Sequence, residues 1–137
     1  MRVVTWNLNG IRAAIRKGLD SWLEIIDADV LLLQEVRALP EQLPSDWSLP
    51  EGHNVIWHPA ERKGYSGVAS ISRVGISEMS RGIGTILDPD DSEGRVLTAK
   101  CGPLTCINIY LPNGGANPER QAYKDRWLED LLEWSRI

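Results

Sequence analysis

The sequence predicts an α/β or α+β sandwich, and three observations support that class. Residues 3–6 are β-prone and stop at a polar, glycine-containing segment. Two short amphipathic helical segments follow, and residues 29–33 then form a continuous apolar run, which is typical of a strand covered on both faces. Several short strands and a last helix complete the order. Because a helical crossover separates the first two strands, we predict that they are parallel.

The first half of the chain contains two predicted helices and one long loop. Ile11 and Ile15 lie on one helical face, and Gly18 ends that helix. The second helix presents four apolar residues on one face: Leu19, Trp22, Leu23 and Ile26. Prolines at three positions make residues 39–52 a loop with at most one helical turn.

The second half consists of short strands and a final helix. The strands are predicted at residues 55–57, 68–71, 76–79, 96–101 and 104–110. The last two form a hairpin around Gly102 and Pro103. Residues 88–94 are predicted to be a solvated acidic turn. The final helix begins with Asn117 as its cap and Pro118 in its first position. One face of that helix carries Tyr123, Trp127, Leu131 and Trp134.

Composition limits the function classes. A length of 137 residues suits one domain, and 42% hydrophobic residues argue against disorder. The net charge of −4 excludes a basic domain that binds nucleic acid through its field alone. No apolar run approaches the roughly 20 residues that span a bilayer, so we expect no membrane partner. Two cysteines exclude a disulfide framework and a four-thiolate zinc site.

The two cysteines are predicted to be reduced. In the predicted hairpin, Cys101 pairs with Leu104 and Cys106 pairs with Ala99, which places the thiols diagonally, about 7–8 Å apart. That distance exceeds the usual reach of a disulfide. We therefore expect core thiols in a cytoplasmic protein.

Polar side chains follow three of the apolar strands. Asn7 ends the first strand, Glu35 follows the second, and Tyr110 ends the last, with Asn113 just beyond it. Ligands of α/β sheets bind outside the carboxyl ends of strands. A carboxylate, two amides and a phenol suit a phosphate and a hard cation such as Mg²⁺. The alternative is that these strands simply end in polar surface residues.

Two other sites are less well supported by the residues. His53 and His58 lie five positions apart around a short strand, and no other zinc ligand lies nearby. The segment from Gly64 to Gly67 is one residue short of a nucleophile elbow, and neither histidine has an evident orienting carboxylate. Arginine and lysine around this glycine loop could instead track a phosphate backbone, with Tyr65 exposed, or could be ordinary solvated charges.

Five motifs occur along the chain in this order: Thr5-Trp6-Asn7-Leu8-Asn9-Gly10-Ile11-Arg12-Ala13, Leu32-Leu33-Gln34-Glu35, Lys63-Gly64-Tyr65-Ser66-Gly67-Val68-Ala69, Glu93-Gly94-Arg95-Val96 and Asn108-Ile109-Tyr110-Leu111-Pro112-Asn113-Gly114. Together they resemble the exonuclease III type of apurinic/apyrimidinic endonuclease, within the endonuclease/exonuclease/phosphatase superfamily. The resemblance covers essentially the whole chain.

The resemblance implies a role for each strand-end residue. Glu35 would bind the metal, Mg²⁺ or alternatively Mn²⁺, and Asn7 would lie beside it at the metal and orient metal-bound water or phosphate. Tyr110 would be the active-site phenol, and Asn113 would line the phosphate site. The implied reaction is metal-assisted hydrolysis of a phosphodiester.

The implied partner is double-stranded DNA with abasic sites or 3′ ends. Arg12 and the loop containing Gly64, Tyr65 and Ser66 would meet the DNA backbone and minor groove. This is the expectation for a DNA-repair hydrolase with endonuclease and exonuclease activity. The alternatives are a non-catalytic nucleic-acid or protein binding module, and a superfamily phosphatase that acts on a small phosphorylated substrate.

The resemblance also implies that residues 1–137 are a partial domain without its C-terminal half. In the family, that half supplies a Gly-Asp-x-Asn segment, another aspartate and a late Ser-Asp-His segment, none of which occurs here. We therefore expect the chain to be inactive alone.

The implied architecture leads to a prediction about assembly. It is a four-layered α/β sandwich, of which this chain would be the first half: a mixed sheet with helices on one face. We expect the other sheet face to be left open and a second copy to cover it in a homodimer. The alternative is a monomer in which residues 39–52 fold over that face.

Overall fold

Two β-sheets pack face to face, and helices cover the outer face of the larger sheet. The computed structural model describes residues 1–136. Its main elements are β1 (Val3–Asn7), α1 (Ile11–Arg16), α2 (Leu19–Ile26), β2 (Val30–Gln34), β3 (Asn54–His58), β4 (Val68–Ser72), β5 (Ile76–Arg81), β6 (Val96–Cys101), β7 (Leu104–Ile109) and α3 (Pro118–Ser135). The predicted proline-rich loop contains one short 3₁₀ helix, Pro40–Gln42.

The larger sheet is mixed, which confirms the predicted α/β class. Its strand order is β1-β2-β4-β3, and the smaller sheet has the order β5-β6-β7. Strands β1 and β2 are parallel, with Asn7 opposite Gln34, as predicted from the helical crossover between them. The remaining pairings are antiparallel. The carboxyl ends of β1 and β2 therefore lie at one edge of the sheet.

Strand β2 is covered on both faces, as its continuous apolar run predicts. Leu31 and Leu33 lie in the cluster that contains Ile11 of α1 and Leu19 of α2. Val30 points the opposite way, into the cluster formed by three residues of the smaller sheet: Ala99, Cys101 and Cys106. The chain thus builds a layer of helices, a mixed sheet and a second sheet around β2.

This arrangement corrects the prediction of an open sheet face. The inner face of the larger sheet is covered by β6 and β7 of the same chain, so the reason for expecting a homodimer is wrong. Residues 39–52 do not cover that face either, since Leu43, Trp47 and Leu49 pack against the helix-side cluster. Strand β7 is covered on one face only, because Cys106 and Asn108 are buried whereas Ile107, on the opposite face, is 42% exposed.

The hairpin register confirms the predicted cysteine placement. Ala99 pairs with Cys106 and Cys101 pairs with Leu104. Both thiols are buried and unbridged. Burial, together with the neighbouring Cys101 thiol, raises the pKa of Cys106.

Helix α3 begins and packs as its sequence predicts. The Asn117 side chain accepts a hydrogen bond from the Arg120 N–H at 2.8 Å, which caps the first turn. Trp127 is fully buried, whereas most of the helix surface is exposed. Across residues 1–136, we find no helix that combines the length and the hydropathy needed to cross a membrane.

Candidate active site

The site forms where the chain leaves β1 and β2. Beyond the strands, the Leu8 N–H donates to the Gln34 carbonyl at 2.9 Å, and the Gly10 N–H donates to the Glu35 carbonyl at 2.8 Å. The parallel pairing thus continues past both strand ends. Asn7 and Glu35 consequently leave the sheet at the same edge, as the sequence predicts for ligand-binding residues.

Glu35 lies in a backbone conformation that ordinary residues rarely adopt. Its φ is 50°, and Arg37 two positions later has a φ of 56°. Such left-handed residues cost on the order of 1–3 kcal/mol each and concentrate at functional sites. The Glu35 side chain is 16% exposed, and its Oε1 lies 3.5 Å from the Arg37 guanidinium. The carboxylate is therefore shielded by protein but still accessible at the sheet edge.

Tyr110 reaches this carboxylate from the smaller sheet. It directly follows β7, and its hydroxyl donates a hydrogen bond to Glu35 Oε1. Burial of the phenol, reinforced by the Glu35 carboxylate, raises the pKa of Tyr110 to about 12. At neutral pH, the phenol is therefore protonated and able to donate a hydrogen bond.

A buried amide network beneath the site joins the two sheets. Asn108 of β7 is fully buried and donates to the carbonyls of Leu33 at 3.1 Å and Ala69 at 3.0 Å. Its oxygen accepts a hydrogen bond from the Gln34 side chain at 2.8 Å. Because Asn108 and Gln34 precede Tyr110 and Glu35 along their strands, this network sets the relative placement of the phenol and the carboxylate. Sequence reasoning assigned no role to Asn108, although the alternation along β7 points it inward.

The other two predicted site residues do not contact the carboxylate. Asn7 is exposed, and its side-chain oxygen accepts from the Asn9 N–H at 3.0 Å. Asn113 is also exposed, and its side-chain oxygen accepts from the Gly115 N–H at 2.9 Å. The structure therefore brings Glu35 and Tyr110 into contact, with Asn7 at the same sheet edge and Asn113 in the loop that follows.

The donor set fits a weakly held Mg²⁺ ion. Residues 1–136 contain no group of three histidine, cysteine or acidic side chains that would hold a metal by itself. Mg²⁺ usually keeps several waters and takes one or two carboxylates together with substrate phosphate oxygens. Glu35 offers one such carboxylate, and Asn7 offers an amide oxygen nearby in the sheet register. These hard oxygen donors match Mg²⁺, or alternatively Mn²⁺.

The predicted DNA-binding loop is attached to the segment that follows Glu35. The Arg37 N–H donates to the Ser66 carbonyl at 2.8 Å, and the Val36 N–H donates to the Gly67 carbonyl at 3.1 Å. Arg12 approaches the same segment, with its guanidinium 3.4 Å from the Arg37 carbonyl. The loop, Arg12 and Glu35 therefore lie in one connected region.

Within that loop, Gly64 is exposed but the two following side chains are held by the protein. The Ser66 hydroxyl is buried and has no hydrogen-bond partner in the part of the chain that the structure describes. Tyr65 is partly buried rather than exposed as predicted. Its hydroxyl accepts from Arg95 at 2.8 Å and donates to Glu93 at 3.2 Å. Of the three loop residues predicted to meet DNA, Gly64, Tyr65 and Ser66, only Gly64 is exposed to solvent.

A buried histidine–aspartate pair corrects two further predictions. His58 Nε2 lies 2.8 Å from Asp91 Oδ2, and both side chains are less than a tenth exposed. The same oxygen accepts the backbone N–H groups of Arg95 at 3.0 Å and Val96 at 2.8 Å. Residues 88–94 are therefore not simply a solvated turn, and His58 does have an orienting carboxylate. The partners are 33 positions apart, so local sequence patterns carry no signal for this pair.

Comparison with known proteins agrees with this geometry. Residues 4–137 match the Endonuclease/Exonuclease/phosphatase family. The chain is 37% identical to an exodeoxyribonuclease of Bacillus subtilis (strain 168), over 98% of this chain and 52% of that protein. It is 36% identical to the DNA repair nuclease APEX1 of Danio rerio, over 96% of this chain and 42% of that protein. The chain thus spans about half the length of these curated relatives.

Solved structures show the same fold. A 3′-5′ exonuclease (NExo) from Neisseria meningitidis superimposes with a TM-score of 0.84 at 29% identity, over 99% of this chain and 52% of that chain. An AP endonuclease from Archaeoglobus fulgidus superimposes with a TM-score of 0.79 at 28% identity, over 98% and 50%. Given the family match along almost its whole length, this chain belongs to the endonuclease/exonuclease/phosphatase family.

Proposed function

We propose that this chain provides one half of the active centre of a DNA phosphodiesterase of the exonuclease III type. The observation that carries the proposal is the contact between Tyr110 and Glu35 at the sheet edge. The names of the two relatives, an exodeoxyribonuclease and a DNA repair nuclease, support DNA as the substrate. The proposed targets are abasic sites and 3′ ends in double-stranded DNA.

Glu35 and Asn7 are the residues that would hold a divalent cation, Mg²⁺ or Mn²⁺. When bound, such an ion supplies Lewis-acid stabilisation of phosphate charge. With a single carboxylate in this chain, we expect its affinity for the cation to be low without substrate.

The remaining polar groups act on the phosphate by donating hydrogen bonds. Tyr110 is protonated at neutral pH, so its one phenolic hydrogen can turn from Glu35 to a phosphate oxygen on which negative charge develops. The amides of Asn7 and Asn113 can orient other phosphate oxygens. Arg37, at 3.5 Å from Glu35, balances the carboxylate charge before substrate arrives.

DNA contact is assigned to the loop beside the site and to Arg12. The chain carries a net charge of −4, so attraction to DNA has to come from local groups rather than from the overall field. Arg12 and Arg62 are exposed near the loop, and Gly64 allows a phosphate to approach the backbone closely. Contacts of this kind position DNA without reading its sequence.

We further propose that residues 1–137 act as a partial domain with only trace activity alone. The Tyr110 hydroxyl bonds Glu35, which is already assigned to the cation, so a separate general base would have to come from the half of the relatives that this chain does not cover; such a group is worth about 10²–10⁴-fold in rate. A cytoplasmic location is proposed because both cysteines are unbridged.

The experiment compares the chain alone with a chimera. The chimera joins residues 1–137 to the second half of the Bacillus subtilis exodeoxyribonuclease, which this chain does not match. Both proteins are incubated with Mg²⁺ and duplex DNA that carries an abasic site, a 3′ hydroxyl end or a 3′ phosphate. We expect the chimera to cleave and the chain alone to show only trace cleavage.

Two outcomes would contradict the proposal. Robust Mg²⁺-dependent cleavage by the pure chain would show that it is not a partial domain. A folded chimera that leaves all three DNA substrates intact, with either Mg²⁺ or Mn²⁺, would refute the nuclease function. Glu24→Ala, at an exposed position on α2, serves as the control variant and should leave the chimera fully active.

A further inference from the structure

Arg95 is a buried arginine that the proposed reaction does not use. It directly precedes β6, and its side chain is only 1% exposed. A buried guanidinium is costly unless hydrogen-bond acceptors surround it. Each of its three nitrogens has one: Nε donates to Glu93 at 3.3 Å, Nη1 to the Tyr110 carbonyl at 3.2 Å and Nη2 to the Tyr65 hydroxyl at 2.8 Å.

Arg95 also lies between the two tyrosine rings. Its guanidinium carbon is 5.2 Å from the ring centre of Tyr110 and 5.8 Å from that of Tyr65. In addition, the Tyr110 N–H donates to the Arg95 carbonyl at 2.8 Å. One residue thus holds the backbone of Tyr110 on both its N–H and its carbonyl, while its guanidinium contacts the tyrosine of the DNA-binding loop.

We propose that Arg95 is a positioning residue that ties Tyr65 to Tyr110, so that the fit of the Tyr65 loop against DNA sets the placement of the Tyr110 hydroxyl. The effect on turnover rests on the proposed function, whereas the physical link between the two tyrosines does not. Arg95 itself touches neither substrate nor Glu35 in this arrangement. It acts through the atoms of Tyr110 that it holds.

A purely structural role makes a different prediction. If Arg95 only neutralises the charge of Glu93, lysine at position 95 would replace it without effect. Removal of the Tyr65 hydroxyl would then leave the Tyr110 resonance unchanged. Arg120 already donates to Glu93 at 3.1 Å, so this carboxylate does not depend on Arg95 alone. The positioning role and the purely structural role therefore predict different effects on Tyr110.

The first arm of the test uses nuclear magnetic resonance on this chain, labelled with carbon-13 at the ζ position of tyrosine. The chain contains three tyrosines, so each resonance can be assigned by single substitution. We expect Tyr65→Phe and Arg95→Lys each to shift the Tyr110 resonance by several line widths. Tyr123→Phe is the matched control: the Tyr123 ring packs against Arg120, with 4.3 Å between the guanidinium carbon and the ring centre, so loss of the Tyr123 hydroxyl should leave the Tyr110 resonance in place.

The second arm measures steady-state kinetics of the chimera on abasic-site DNA. Arg95→Lys keeps the charge but cannot hold three acceptors in a fixed plane. We expect it to lower kcat about tenfold with KM within a factor of about two, in keeping with the sensitivity of rate to small misplacements. Tyr65→Phe should lower kcat in the same direction, and it is mild enough to preserve the fold if Arg95→Lys does not.

The outcomes distinguish failure of this inference from failure of the proposed function. If the Tyr110 resonance keeps its position in both Tyr65→Phe and Arg95→Lys, the inference is overturned, whether or not the chimera cleaves DNA. A shifted resonance with unchanged kcat would overturn the positioning role. A chimera without cleavage would refute the nuclease function, and the resonance of Tyr110 would still decide whether Arg95 links the two tyrosines.

Discussion

Tyr110 donates its phenolic hydrogen to Glu35 across the junction of the two sheets, although the residues are 75 positions apart in the chain. The contact exists because β7 lies over β2, where the Gln34 and Asn108 side chains bond at 2.8 Å. Phenol and carboxylate therefore each directly follow a strand, and the two strands belong to sheets that pack against each other. Such preorganised donors are the most effective stabilisers of developing charge.

Glu35→Ala in the chimera should lose activity mainly through metal dependence. The substitution removes the side-chain carboxylate that would bind the cation. The hydrogen bond from the Gly10 N–H to the backbone carbonyl of residue 35 is retained. We expect activity at low Mg²⁺ to fall by about 10² or more and to recover in part as Mg²⁺ is raised. A loss that no Mg²⁺ concentration reduces would contradict a metal-binding role.

The fold class and the strand ends could be predicted because hydrophobic periodicity is a local property. The apolar run of β2 ends directly before Glu35, and the hairpin strand β7 ends directly before Tyr110, so both residues are placed at strand ends by patterns of a few residues. The Asn117 cap is equally local. These features depend on neighbours in the sequence.

The covering of the inner sheet face could not be predicted because it depends on long-range packing. Strand β7 buries Cys106 and Asn108 but exposes Ile107, a pattern that fits many packing arrangements. The same holds for Arg95, Tyr65 and Glu93, which the motif comparison singled out without indicating that they meet. Their contacts span up to 30 positions and form only in the folded chain.

Asp91→Ala should destabilise the fold strongly, and its neighbour Asp90→Ala should not. The Asp91 carboxylate accepts from His58 and from the backbone N–H groups of Arg95 and Val96. Its removal leaves these buried groups without a partner, at a cost of about 3–5 kcal/mol. Asp90 is exposed, so its substitution should change the free energy of unfolding by less than about 0.5 kcal/mol. Urea unfolding of both variants measures the difference, and equal stabilities would contradict the buried pair.

Gly94→Ala should be much less tolerated than Gly64→Ala. Both glycines have positive φ, 62° and 69°, so the backbone strain of alanine is similar, about 1–2 kcal/mol. A Cβ at Gly94 would lie 2.7 Å from the backbone of Pro59 and Ala60, whereas a Cβ at Gly64 would meet nothing within 4 Å. We expect Gly94→Ala to unfold at a markedly lower urea concentration. Equal midpoints would show that residues 59–60 are not packed against Gly94 in solution.

Stability should decline in alkali partly through Tyr110. Burial and Glu35 raise the pKa of Tyr110 to about 12, against about 10 in an unfolded chain. The folded state therefore retains the proton longer, so this contribution is fully present below pH 10 and is lost as the pH rises from about 10 towards 12. Between pH 9 and pH 11, the free energy of unfolding of the Tyr110→Phe variant should fall by less than that of the unsubstituted chain. Parallel losses measured by urea unfolding would contradict the buried, Glu35-bonded phenol.

The central claim, that the Tyr110 hydroxyl acts on the phosphate beside Glu35, is tested most directly by Tyr110→Phe in the chimera. The substitution removes one hydroxyl and keeps the ring, so DNA binding should remain within about twofold. We predict that kcat on abasic-site DNA falls by about 10² with the dissociation constant for DNA unchanged. An unchanged kcat would contradict the catalytic role of Tyr110, and with it the assignment of this sheet edge as the reactive centre.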